Sequence, residues 1–197
     1  MMNKPKIAII VGSTRDTRFA DKPAQWLLEN TRKRDDMDFE LVDLRDYDLP
    51  LFNEVASNLW VPSADPRVVK WQQKLAEFDG YIFVTAEYNH SVSGSLKNAL
   101  DQAYKEWNHK PLAAVGYGGV GAARAIEHLR GIGIELQMVP IRNAVHIGGG
   151  EFMKVSPIGQ NAEMAEIDAV LQPSLNAMLD ELAWWTDATK AAREKTA

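Results

Sequence analysis

The sequence predicts an α/β fold: an open, five-stranded parallel sheet with helices on both faces. Three observations carry this expectation. Five short apolar runs, rich in β-branched residues, recur along the chain. Between them, apolar residues fall at helical spacing, and such alternation points to a parallel sheet covered on both sides. No repeat, low-complexity tract or linker divides the 197 residues, so a single domain over 1–197 is expected.

The first strand is expected at residues 6–11, a β-rich run ending at Gly12. Phe19, Pro23, Trp26 or Leu27, and Asn30 then fall at helical spacing over 19–34. Residues 39–44 alternate and give a second strand. The stretch at about 47–65 is rich in Pro, Asn and Ser; loops of that length are usually functional or cover an interface. Asp65-Pro66 starts a helix, with Val68, Trp71, Leu75 and Phe78 along one face. GYIFVT at 80–85 is a third, buried strand, and 93–107 is helical. PLAAVGY at 111–117 is the fourth strand, followed by a helix over 122–130. Residues 137–141 and 144–147 share the fifth strand region. A helical extension over about 161–192 carries Ile167, Leu171, Leu175, Met178, Leu182 and Trp185 at helical spacing. Pro173 lies inside it and is expected to kink the helix or restart it.

Composition removes several function classes. Lys and Arg number 22 against 27 Asp and Glu, a net charge of −5, so no general footprint for nucleic acid or an anionic membrane exists. Cysteine is absent, which excludes disulfides, thiolate catalysis and zinc–thiolate sites. His90, His109, His128 and His146 show no metal-ligand spacing, so no metal is expected. The apolar run at 7–11 is too short for a membrane span and lacks the pattern of a signal peptide. A cytoplasmic protein is the expectation.

In open parallel sheets, ligands bind beyond the carboxyl ends of the strands, where the strand order reverses. Three loops therefore matter. GSTRDTRFAD (12–21) follows a strand and opens a helix. Its backbone amides, the hydroxyls of Ser13, Thr14 and Thr17, and two arginines, Arg15 and Arg18, make an anion cradle. It lacks both the dinucleotide fingerprint and the Walker lysine, so it suits a single terminal phosphate. The loop at 85–94 offers Glu87, Tyr88, Asn89 and His90, able to read or line a flat heterocycle; its bland reading is a strand–helix connection with Ser91 or Ser93 as cap. GYGGVG (116–121) matches G-x-G-x-x-G but follows the fourth strand, not the first. It reads better as a glycine turn that lets a planar ligand approach the backbone.

Taken together, GSTR after strand one, EYNHSVSGSLKNALD after strand three and KPLAAVGYGGVGAARA at strand four resemble the NAD(P)H-dependent FMN reductase family of flavodoxin-like proteins. That family includes quinone, azo-dye and chromate reductases, and the resemblance runs from about residue 5 to 147. It implies a three-layer sandwich with strand order 2-1-3-4-5 and non-covalent FMN. By motif match, Ser13, Thr14, Arg15 and the turn through Arg18, Phe19 and Ala20 would hold the phosphate. Glu87, Tyr88, Asn89 and His90 would line the isoalloxazine, and Tyr117, Gly118 and Gly119 its pyrimidine side. Arg18 stands where the family commonly has Ser and, pointing inward, would strengthen the phosphate pairing.

The resemblance further implies a homodimer or homotetramer with flavin near the dimer interface. NADPH or NADH would deliver hydride to flavin N5, and a quinone, azo compound, free flavin or metal oxyanion would take the electrons. The chemistry is the cofactor's, so no catalytic side chain is required. Amides of Gly118 and Gly119 would meet charge developing at flavin N1/O2. Tyr88, His90 and Trp107 are candidates for lining a substrate slot. Three other readings stand beside this one: a flavodoxin-type electron carrier, a Rossmann-type NAD dehydrogenase using GYGGVG, and an interaction protein with an empty site.

Overall fold

Six strand segments form one parallel sheet in a computed structural model that describes residues 4–196. They are β1 (Lys6–Val11), β2 (Asp38–Asp43), β3 (Gly80–Ala86), β4 (Pro111–Tyr117), β5 (Val139–Pro140) and β6 (Val145–Ile147). The order is β2-β1-β3-β4-β5, with β6 also on β4, as the flavodoxin-like expectation requires. The helices are α1 (Asp21–Thr31), α2 (Pro66–Ala76), α3 (Gly94–Asp101), α4 (Ala123–Glu135), α5 (Gly149–Val155) and α6 (Asp168–Thr196).

Side chains alternate across the central strands and so feed two cores. Ile7, Ile9 and Val11 of β1 join Leu27 of α1 and Leu171, Leu175 and Leu182 of α6. Ala8 and Ile10 face the other way, with Trp71 and Leu75 of α2, Leu96 of α3 and Leu129 of α4. Burial on both faces explains why β3 and β4 read as unbroken apolar runs.

The fifth strand region is split. β5 pairs with the start of β4 and β6 with its end. Pro140 has no N–H to extend the ladder. The amides freed in the gap turn to α6: Arg142 and Asn143 donate to the Glu181 carboxylate at 3.0 and 2.8 Å. Several helices differ from expectation: α1 is shorter than 19–34, and α4 runs to Glu135, not 130. α3 ends at Asp101, not 107. α5 opens within three consecutive glycines, 148–150, that mask it in the sequence. Pro173 does not interrupt α6, whose buried stripe of Leu171, Leu175, Met178 and Leu182 packs on both sides of it. No helix among the described residues is long and apolar enough to cross a membrane.

At the amino end of the sheet, the Lys110 ammonium is buried and donates to Leu75 O (3.3 Å) and to the Tyr81 hydroxyl (3.1 Å). Burial, aided by the Arg193 charge, pushes it down to about 8 from 10.5. Between those values the unfolded chain binds more protons than the folded one, so stability rises with pH. From pH 8 to pH 10 the gain is expected to be about 2 kcal/mol. Above that range Tyr81, whose proton burial retains, acts in the opposite direction. Urea titrations of the wild type and Lys110→Met at both pH values check this; equal changes in the two proteins would remove Lys110 as the cause.

Candidate functional site

The chain leaves β1 at Gly12 and does not become helical until Asp21. In between, the backbone amides of residues 13–17 have no hydrogen-bond partner among the described residues. Arg18 N closes the turn onto Arg15 O at 3.2 Å. Ser13 is buried. A run of unfilled donors beside a helix N-terminus is an anion site by geometry and by dipole.

The two arginines of this turn diverge. Arg15 is exposed and reaches across to the Tyr88 hydroxyl at 2.9 Å. Arg18 is only 3% exposed at its side chain and is braced on three acceptors. It donates to Asp43 Oδ1 and Ser13 O, both at 2.7 Å, and to Asp21 Oδ1 at 2.9 Å. A second contact to Asp43 completes a fork-on-fork pair. Burial pushes the Asp43 carboxyl up, but Arg18 and the Arg45 amide outweigh it and hold it below its ordinary value. The sequence shows the charge of Arg18 but not the carboxylates that already neutralise it. Arg18 therefore shapes the turn, and Arg15 is the cation left to meet a ligand.

The loop after β3 is a hairpin-like turn. Tyr88 N donates to Ser91 O at 2.9 Å and Ser91 N to Tyr88 O at 3.0 Å. Asn89 and His90 occupy its corners with φ of 51° and 68°. Both corners are left-handed, as a type I′ turn demands, yet neither is glycine. Both side chains are exposed. Glu87 points the other way. Its carboxylate accepts from Arg124 Nε at 2.5 Å and from the amides of Arg124 and Ala125 at 3.1 and 3.4 Å. It thus caps α4, whose own cap residue, Ala122, has no side chain to offer. Burial pushes the Glu87 carboxyl up, but the Arg124 guanidinium and the two amides outweigh it and hold it low.

The glycine turn after β4 keeps its backbone bare. Gly118 has φ of 139°, and a Cβ added there would meet nothing within 4 Å. Gly121, at φ of 61°, abuts His146, where a Cβ would approach to 2.8 Å. Gly118 N donates to Ile147 O at 3.1 Å, so this amide is already engaged; that of Gly119 has no partner among the described residues. Tyr117 is buried edge-on against Phe19 at 5.1 Å, and Phe19 meets Phe152 at 5.5 Å. Burial raises the Tyr117 hydroxyl well above its usual range, so it stays protonated.

These loops enclose a cleft of about 220 Å³. Ser13, Arg15, Arg18 and Phe19 form one side, Glu87 and Tyr88 a second, Tyr117 and Gly118 the floor. The remaining wall, Phe152, Ser156, Pro157 and Ile158, has no counterpart in the sequence reading. Thr14, Ala20, Asn89, His90 and Gly119 do not line it. Thr14 faces an adjacent hollow with Arg45, Ser95 and Asn98, and Ala20 is buried beneath the turn. Trp107 is fully buried among Trp71, Tyr81 and Phe83 and donates to Leu100 O at 3.2 Å. It is core, and lines no substrate slot. No group of three or more His, Asp or Glu among the described residues is placed to hold a metal.

Residues 5–151 match the family described as NADPH-dependent FMN reductase. An NAD(P)H-dependent FMN reductase of Schizosaccharomyces pombe is 36% identical over 148 residues, 72% of each chain. A 2-hydroxy-1,4-benzoquinone reductase of a Burkholderia species is 37% identical over 142 residues, covering 68% of this chain and 73% of its own. The flavoenzyme NAD(P)H:(acceptor) oxidoreductase FerB of Paracoccus denitrificans superposes with a TM-score of 0.69 at 26% identity, covering 90% of this chain and 97% of its own.

Proposed function

The chain belongs to the NADPH-dependent FMN reductase family, and from that premise we propose that it oxidises NADPH or NADH and reduces a small-molecule acceptor through bound FMN. The observation that carries this reading is the run of unpartnered amides at 13–17 beside Arg15, opposite the bare backbone of Gly118. The donors fit a single phosphate monoester, and the bare backbone leaves room for a flat ring. FMN supplies the redox chemistry, exchanging hydride and electrons at its ring.

The protein's part is binding and orientation. Ser13, the amide of Thr14 and Arg15 would hold the phosphate, with Arg18, Phe19 and Ala20 shaping the turn that presents them. Glu87, Tyr88, Asn89 and His90 would border the ring on one side and Tyr117, Gly118 and Gly119 on the other. The amide of Gly119, rather than that of Gly118, is available to a developing negative charge. Tyr117, kept protonated by burial, is a donor and not a base. None of these groups acts as nucleophile or general base, and no catalytic side chain is assigned.

The acceptor belongs to the class of quinones, azo compounds, free flavins or metal oxyanions; five of the curated relatives are quinone reductases by name. We also propose a homodimer or homotetramer in the cytoplasm. The loop between Tyr47 and Asp65 supports assembly, because it displays Leu51, Val55 and Trp60 at 82, 94 and 78% exposure.

Visible absorption of the purified protein tests the function. Bound flavin is expected to give the oxidised two-band spectrum, to bleach when NADPH or NADH is added without air, and to recover on adding a benzoquinone. A protein that takes up no FMN refutes the reading. One that binds FMN but is not bleached by either nucleotide is a carrier, not a reductase.

A further inference from the structure

Among the described residues, three buried side-chain polar atoms have no hydrogen-bond partner, on Asn58, Gln102 and Ser156. Only Ser156 lines the cleft. Its backbone is firmly held. Its N–H donates to Phe152 O at 2.9 Å, and its carbonyl accepts from Gly159 and Asn161, both at 3.0 Å. Lys22 ties the whole segment to α1, donating to the carbonyls of Val155, Asn161 and Ala162 at 3.3, 3.1 and 3.0 Å. Lys22 sits in the first turn of α1, immediately beyond the loop whose amides are unfilled. The Ser156 hydroxyl is thus a fixed, water-shielded group next to the anion site, and a buried hydroxyl left unpaired is costly.

The chemistry of its surroundings says what is missing. The groups at this end of the cleft that no carboxylate neutralises are the Arg15 guanidinium, which meets only hydroxyls, and the unpartnered amides of 13–17, all donors. The carboxylates of Asp43 and Glu87, which could accept, are engaged by Arg18 and Arg124. A set of donors converging with a hydroxyl calls for an acceptor with several oxygens.

We propose that Ser156 is a further ligand-binding residue, donating its hydroxyl hydrogen to a phosphate oxygen of the bound flavin nucleotide. Ser156 lies beyond residues 5–151, the span that matches the family. The proposal rests on the FMN reading above and adds a residue to it.

The test compares Ser156→Ala with the wild type, each titrated with FMN and with riboflavin by flavin-fluorescence quenching, together with the melting temperature of the flavin-free protein. Loss of a hydrogen bond to a charged group should raise the Kd for FMN about ten- to a hundredfold. The Kd for riboflavin, which lacks the phosphate, should change less than about twofold. The flavin-free variant should melt no lower than the wild type, because the deleted hydroxyl has no partner to lose. An unchanged FMN affinity overturns the proposal, as does an equal loss for both ligands, which would place the contact on the ring or ribityl chain. A lowered melting temperature would show a structural hydroxyl and overturn it too. A wild type that binds no FMN refutes the reductase reading itself, a separate result.

Discussion

Arg15→Ala weakens FMN binding by about 1.5–3 kcal/mol, roughly ten- to a hundredfold in Kd, if the guanidinium makes a charge-assisted bond to the phosphate. The expected cost in folding stability is small. Arg15 is exposed, and the one cross-loop bond of its side chain, to the Tyr88 hydroxyl, lies at the cleft mouth. Arg18→Ala serves as the control, since it unbraces the turn by freeing Asp43 and Asp21 and should lower the melting temperature. Titration with FMN and with riboflavin separates charge from fold. Arg15→Ala should lose affinity for FMN alone. An unchanged Kd for FMN would move the phosphate away from Arg15 and leave it to the amides and hydroxyls of the site.

Trp107→Ala removes about 3–5 kcal/mol of unfolding free energy. The indole is fully buried, meets Tyr81 edge-on at 4.8 Å and Trp71 at 6.1 Å, and satisfies its N–H on Leu100 O. Deleting it leaves a void between α2, α3 and the sheet, while Leu100 O keeps the Ala103 amide as a donor. Denaturant titration reads the loss directly. Below the new midpoint, the KM for nicotinamide cofactor and acceptor should stay at wild-type values. A raised KM with wild-type stability would restore Trp107 to the substrate slot.

Trp107 also shows why parts of this chain are legible and others are not. Its helical spacing from Leu100 and Ala103 extends the reading of α3 to 107, whereas the helix ends at Asp101 and the indole enters the core from the turns that follow. Periodicity reports which residues are buried, not which element delivers them. The central strands carry no such ambiguity. β4 spans the predicted 111–117, and β3 runs one residue beyond the predicted end, because burial on both faces marks such strands with unbroken apolar sequence. At the site, residue types were informative and partners were not. Arg15 and Arg18 are equivalent by composition, and a carboxylate 25 residues onward, together with Asp21, distinguishes them. The turn at Tyr88–Ser91 lacks the glycine that usually signals left-handed corners. Ser156 follows a seven-residue helix introduced by Gly148, Gly149 and Gly150, a stretch that resembles a loop and carries no capping side chain.

The Glu87 carboxylate does more than cap a helix. By gripping both the guanidinium and the leading amides of α4, it rivets the connection after β3 to the one after β4. The two sides of the cleft that it joins behave as a single plate facing the β1 turn. Arg124 is half-exposed, so replacing it would loosen that join beside Tyr88 while every lining residue stays as it is.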